Sequence, residues 1–478
     1  MKKFFAVITV YLLVCTHSGL AYDSIDFTLH KLESGRPGNT LLVIGGIQGD
    51  EPGGFNAASL LVTHYNIKKG NVWVVPNLNF ISIIKRTRGV YGDLNRKFAS
   101  LRSADPEFDT IGKIKSIILD GQVDVVLNHH DGSGFYRLRY IDRTRNPYRW
   151  GQSIIIDQER IKTERYGNLS EIAKEIVTDV NSQLFSEEHS YHVKNTRTRQ
   201  GDKEMAKTLT YYAIRNSKPA FGVEVSKSFP THKRAYYHLR VIEAYMDLLG
   251  IEYDRSFNLS AKDIKKAIDS NVKLAFYDNR IFLDVANARK RLRYIPLKKA
   301  SEVSFIPSNP LIAVVKSGKS YRVFHGNRRI TRLYPEYFDY DSSINGVSIL
   351  IDGEEKKVVF GETVYVDKSF LVLPKTGYRV NVIGFKRPDV VNESGIAIEK
   401  NHILKRFSVD KTGYIYRVEV YCGKKFSGMV LVNFDDKHEN LIASNPSEIS
   451  PVSAAGQRNN PIATGSPAKI GRSSSLGR

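Results

Sequence analysis

The sequence predicts an α/β protein with a parallel or mixed central sheet, followed by two small all-β domains. Three observations predict it. Between Tyr22 and about residue 250, short apolar runs alternate with stretches of helical period, as in layered α/β domains. From about residue 255, short alternating segments separated by Gly, Asp and Asn turns dominate, as in β modules. The chain has 478 residues, and one hydrophobic core stops growing at roughly 250–300.

In chain order, Lys2-Lys3 precedes an apolar stretch from Phe4 to Cys15, and Gly19-Leu20-Ala21 offers small residues for cleavage. This is the pattern of a signal peptide over 1–21, and the run is shorter than the ~20 residues a membrane span needs. The only cysteines are Cys15 and Cys422. Cleavage after Ala21 leaves Cys422 alone, so the exported chain relies on its core rather than on an internal disulfide.

The first domain is expected over 22–254. Its strands are predicted at Thr40–Ile44, Asn71–Pro76, Val123–Leu127, Ser153–Ile156 and Phe221–Val225. Its helices are predicted at Phe55–His64, Thr110–Leu119, Asn168–Leu184, Asp202–Arg215 and Lys233–Leu248. A short helix from Ser260 to Ile268 then opens a small β domain over 255–335. A β-sandwich-like (Ig-like) domain is expected over 336–434, with alternating runs such as Val347–Ile351 and Ile415–Tyr421. The segment 435–478, rich in Ser, Pro, Gly, Ala and Asn, is expected to be disordered.

Lys and Arg number 71 against 50 Asp and Glu, a formal charge of +21 with pI near 9.6. Such a field attracts polyanions. Export argues against nucleic acid and leaves cell-wall carboxylates and anionic headgroups.

The loop Gly45-Gly46-Ile47-Gln48-Gly49-Asp50-Glu51-Pro52-Gly53-Gly54 joins a buried strand to a helix, at the strand edge where open α/β folds place their sites. Gln48 and Glu51 are potential metal ligands three residues apart. A catalytic zinc takes three protein ligands and keeps one open position. The distant candidates lie in Asn128-His129-His130-Asp131-Gly132, immediately after an apolar strand. Neighbouring strand residues point to opposite faces, so only one of His129 and His130 reaches the metal easily.

These stretches resemble the carboxypeptidase A-like zinc carboxypeptidases, and more closely their cell-wall branch in helical Gram-negative bacteria. Supporting stretches are Gly45–Phe55, Arg88-Gly89 with Tyr91–Phe98, His130-Asp131-Gly132 and Glu224-Val225-Ser226. Asn195–Thr198, Gln200–Asp202 and Phe426–Met429 add to them, so that the resemblance extends to about residue 434. It implies a zinc-carboxypeptidase-like mixed sheet with flanking helices. The activity it implies is that of a periplasmic DL-carboxypeptidase that releases meso-diaminopimelate from peptidoglycan tripeptide stems and helps set cell shape, with cell-shape proteins as possible partners.

The resemblance also implies roles. Gln48, Glu51 and His130 would hold Zn2+, with Gln48 departing from the histidine of the broad family but matching the cell-wall branch. Glu224 would be the catalytic carboxylate. Arg88, Asn95 and Arg96 would hold the terminal carboxylate, a task that suits the planar guanidinium fork. Trp150 and Thr210 would line the pocket for the terminal residue. His129 is then expected to be packed or supporting. Arg86 and Arg88 could share a face of an extended loop, whereas Arg86 and Lys97 read as solvated charges. Two other readings compete: an amidase of the succinylglutamate-desuccinylase type, and a wall-binding scaffold that has lost its metal.

Overall fold

The computed structural model describes residues 25–299, 303–387 and 389–435; the expected signal peptide and nearly all of the expected tail lie outside them. A seven-stranded sheet forms the centre of the first body. Its strands are β1 (His30–Glu33), β2 (Thr40–Ile44), β3 (Asn71–Val75), β4 (Val125–Gly132), β5 (Ser153–Ile156), β6 (His192–Asn195) and β7 (Ala220–Ser226). They lie in the order β1-β3-β2-β4-β7-β5-β6. The β3-β2-β4-β7 core is parallel, while β1 and the β5–β7 pairing are antiparallel, so the sheet is mixed. The central strands are buried throughout, which is why Thr40–Ile44 and Val125–Leu127 read as continuous apolar runs.

The helices are α1 (Pro52–His64), α2 (Phe80–Lys85), α3 (Phe108–Ile118), α4 (Leu169–Asn181), α5 (Leu209–Arg215), α6 (Thr231–Leu248) and α7 (Ala261–Ser270). Pro52 opens α1, where its missing N–H costs nothing. The short α2 is absent from the sequence reading because six residues carry too little periodicity; it is set by Asn79, whose side chain caps Ser82 N. The helix expected over Asp202–Arg215 is broken. Thr208 is extended and caps α5, behind a single 3-10 turn at Met205–Lys207. The first body also runs past 254. Ile264, Ala267 and Ile268 of α7 are buried in its core, so that helix belongs to the first body rather than to the β region.

The β region holds two cores that share their last hairpin. Along the strand Lys425–Asn433, Met429 and Leu431 enter the core built from residues 272–333, whereas Val430 and Val432 enter the core of the distal sheets. A strand buried on both faces joins the two β units physically. The middle unit seats on the first body through Leu311, Ala313, Val315 and Phe324, packed against Phe55, Phe80, Ile83 and Ile84. Cys422 is a free thiol at partial burial.

Candidate active site

Two parallel neighbours carry the centre of the site. β4 continues through Gly132 rather than ending at Leu127, and the register sets His130 directly beside Glu224 of β7. Adjacent strands lie about 4.8 Å apart, so these side chains emerge together on one face. His129 projects to the other face. Its Nδ1 is 2.9 Å from His238 Nδ1, and burial with the neighbouring His238 holds its pKa well below the ordinary value. His238 in turn bonds Asp131, which clamps Gly53 N and Arg234. This buried set ties α6, α1 and β4 together behind the site.

The loop between β2 and α1 brings the other two candidates. His130 Nδ1 lies 3.0 Å from Glu51 Oε2 and 3.2 Å from Gln48 Oε1. The loop can come so close because Gly49 has no side chain: a Cβ there would lie 2.1 Å from the Ser82 carbonyl oxygen on α2. Asp93 sets the orientation of the Gln48 amide. Its Oδ1 accepts Gln48 Nε2 at 2.8 Å, and because a carboxylate only accepts, the amide oxygen is left facing His130. Glu51 is buried and receives Asp131 N at 3.1 Å and Lys227 Nζ at 3.2 Å.

These donors fit a divalent ion. Ligands bound at about 2.0–2.2 Å with near-tetrahedral angles stand roughly 3.2–3.5 Å apart, close to the separations at His130. Among the described residues no group of three or more His, Cys, Asp or Glu side chains is disposed to hold a metal. An ion here therefore needs the Gln48 amide as its third protein ligand.

Glu224 is held differently. Its Oε2 is buried and accepts no hydrogen bond. Burial, with Glu51 and Asp131 adding repulsion against the pull of His130 and Lys227, pushes its pKa up to about 7. Lys227 does not pair with it; that lysine bonds Asp50 and Glu51. A carboxylate poised near neutrality and free of partners suits proton transfer.

All the residues singled out from the sequence line one cavity of about 280 Å³: Gln48, Glu51, His130, Glu224, Arg88, Asn95, Arg96, Trp150 and Thr210. Arg88 is half-exposed, bonds Asp93 at 2.9 Å and lies 3.6 Å from Glu51. Arg96 packs its guanidinium on the Asn95 carbonyl and faces Glu204. Asn95 is more committed than a pure substrate contact would be. Its Oδ1 accepts Leu209 N, and its Nδ2 lies 3.3 Å from His130 Nε2.

Two expectations for the same loop are corrected. Arg86 turns away from Arg88 to bond the Asn327 carbonyl of the β region. Lys97 is not a solvated charge: it is mostly buried between Asp105 and Glu107, at 2.8 Å from each, because it braces the loop from beneath. The sequence reading also missed Asp93, Asp157 and Lys194. Asp157 accepts from Thr196 and Thr198 under the Thr210 side of the cavity, and burial raises its pKa. Lys194 stands 4.2 Å over Trp150, and desolvation lowers its pKa to about 8. Nothing in the local pattern of an isolated Asp or Lys marks such residues; only the topology assembles them.

A mixed α/β sheet that presents an amide oxygen, a carboxylate and an imidazole beside an unpaired glutamate, with arginines on the rim, defines a metallocarboxypeptidase. A family model described as carboxypeptidase controlling helical cell shape, catalytic, matches residues 1–269, and one described as the C-terminal domain of metallo-carboxypeptidase matches 340–435. The chain belongs to this family of cell-shape carboxypeptidases.

Among solved structures, the apo cell shape determinant protein Csd4 of Helicobacter pylori is 39% identical, with 86% of this chain and 100% of that chain covered at a TM-score of 0.79. Its tripeptide-bound form gives the same figures. The mDAP-bound form of H. pylori Csd4, described as a D,L-carboxypeptidase, is 40% identical over 83% of this chain and 97% of that chain, with a TM-score of 0.78. No match was found among curated proteins.

Proposed function

We propose that this chain is a zinc-dependent DL-carboxypeptidase that removes the terminal meso-diaminopimelate from peptidoglycan tripeptide stems, and that it works in the periplasm after export. The observation that carries the reading is the register pair His130–Glu224, with Gln48 and Glu51 brought to the same imidazole. The tripeptide-bound and mDAP-bound forms of Csd4 support the choice of substrate.

In this reading Gln48 Oε1, Glu51 and His130 Nδ1 hold the ion. When bound, zinc supplies Lewis acidity, which polarises a scissile carbonyl and acidifies water. Arg88 and Arg96, with the free hydrogens of the Asn95 amide, hold the terminal carboxylate in a bidentate grip and so fix which bond is cut. Trp150 and Thr210 shape the pocket for the terminal side chain, with Lys194 over Trp150 and Asp157 bonded to Thr210 behind that lining. Glu224 accepts the proton of the attacking water at its unpaired Oε2 and delivers it to the leaving amine. Lys227 and Arg88 balance the charge of Glu51 and keep the site from becoming too anionic for the substrate carboxylate.

The test is direct. Mature chain supplied with zinc and incubated with muropeptides should convert tripeptide stems to dipeptide and free diaminopimelate. Unchanged tripeptide would defeat the proposal. Blocking the terminal carboxylate as an amide should abolish cleavage, whereas an amidase acting on an internal acyl amide would tolerate the block.

A further inference from the structure

Among the described residues a patch of arginines without ion pairs lies outside the active-site cavity, on the sheet of the middle β unit. In spatial order that sheet is Leu292–Lys298, Arg328–Phe338, Ser320–His325 and Ile312–Ser317. One face is apolar, with Leu292, Ile295, Leu297, Leu333, Val323 and Ile312 in the core. The register puts alternate residues on the other face. There Ala313, Val315 and Phe324 pack on the first body. The rest of that face carries Arg293, Arg322, Arg329 and Arg332, and Arg291, just ahead of the first strand, lies near Tyr334 beside them.

These arginines make no ion pair among the described residues. Arg322 stands directly across from Arg332, like charges on facing positions, which destabilises a sheet. Arg322 Nε is buried without a hydrogen-bond partner. The Tyr334 phenol is hydrogen-bonded by Arg332 and lies in the field of Arg291 and Arg293, which together hold its pKa below the ordinary value. Glu336, two residues further along the strand, forms no ion pair among the described residues. Elsewhere several part-buried or buried arginines are neutralised: Arg234 meets Asp131, Arg255 meets Glu243 and Arg417 meets Glu419, while Arg137 bonds only backbone carbonyls.

We propose that this arginine face is a docking surface for the carboxylate-bearing glycan–peptide polymer of the cell wall. The proposal rests on reading the chain as a wall carboxypeptidase. Guanidinium forks pair bidentately with carboxylates, and residues two apart on a strand repeat at about 6.6–6.8 Å. Such a row engages several carboxylates of a polymer rather than one small anion, and it relieves the Arg322–Arg332 repulsion when it does. The same sheet face is seated on Phe80, Ile83 and Ile84 of α2, the helix that runs into the loop bearing Arg88, Asn95 and Arg96. A polymer held here stays in a fixed relation to the cavity, so its stems are presented at a raised effective concentration.

The experiment compares the full mature chain with R291E/R332E in pelleting on purified sacculi at low and moderate salt, with turnover of soluble tripeptide measured alongside. Wild type should pellet, and less so as salt rises. R291E/R332E should lose at least tenfold in retention on sacculi while keeping wild-type turnover of soluble tripeptide and wild-type Tm. The neutral variant R293Q/R329Q should lose a smaller part of the retention, which guards against misfolding of the charge reversal. Sacculi with amidated carboxylates should fail to retain the wild type. Equal pelleting of R291E/R332E and wild type, indifference to amidation, or retention on anionic vesicles but not on sacculi would each overturn the docking surface. Failure of wild type to cleave soluble tripeptide would strike the carboxypeptidase reading instead, a separable result.

Discussion

Asp93 accepts a hydrogen bond from Gln48 and pairs with Arg88, so one carboxylate orients both the proposed metal donor and the proposed substrate-binding arginine. Outer partners of metal ligands are worth about 10–100-fold in affinity, and Asp93→Asn is expected to weaken zinc binding by that order in calorimetry. An unchanged zinc affinity would mean that the amide is held by something else. Glu224 makes a second prediction at this scale. Glu224→Gln should retain zinc and lower kcat by about 10²–10⁴, the span of general acid–base catalysis. The same substitution probes the raised pKa. In metal-free protein Glu224 titrates near 7 instead of its ordinary 4.5. Between these values the folded state keeps a proton that the unfolded chain has released, so stability falls as pH rises through the window. Measured in chelator, the Tm advantage of Glu224→Gln over wild type should grow from pH 4.5 to 7; a constant difference would contradict the shift. The sequence placed Gln48, Glu51, His130 and Glu224 at the ends of apolar strands, but the roles of Gln48 and Glu224 and the choice of His130 over His129 came from the family resemblance. Asp93 was read only as part of a matching stretch, since the hydrogen bond that gives it a role spans 45 residues of sequence.

At the scale of elements, the site depends on how closely two strands and a turn approach. A Cβ on Gly132 would lie 2.6 Å from Glu224 Oε2 and 2.7 Å from Trp150 Cβ. Gly132→Ala should therefore displace the base and the pocket wall together, costing about 1–3 kcal/mol in the manner of overpacking. A fall in both Tm and kcat checks it; full activity would show that the wall yields freely. The inner strands of the central sheet were legible because burial on both faces writes them as unbroken apolar runs, whereas the half-exposed edge strands His30–Glu33 and His192–Asn195 carry no such run and were missed. The ends of the inner strands were not legible: Asn128 to Gly132 are polar, yet β4 continues through them because hydrogen bonding to β7 outweighs their composition. For the same reason α2 and the break at Thr208 were invisible, being set by single capping side chains rather than by periodicity.

Across the whole molecule, the β region is built on rather than strung after the catalytic body. The hairpin Ile415–Cys422 with Lys425–Asn433 feeds side chains to both β cores, and α7 closes the first body beyond the boundary that composition suggests. Composition marks where helices give way to strands, but it does not show which core a helix packs against. Phe426, wholly buried in the middle core, stacks edge-on with Tyr421 and at a tilt with Tyr340. Phe426→Ala should cost about 3–5 kcal/mol, and hydrogen exchange should accelerate in both β units at once; acceleration confined to one would mean that they fold independently.

The central claim is that one divalent ion sits between Gln48, Glu51 and His130, beside Glu224. An anomalous difference map recorded at the zinc edge from metal-loaded crystals tests it most directly. The account predicts a single strong peak within about 2.0–2.2 Å of Gln48 Oε1, a Glu51 carboxylate oxygen and His130 Nδ1. A peak that leaves Gln48 unbound, or zinc bound elsewhere with this cavity empty, would contradict it.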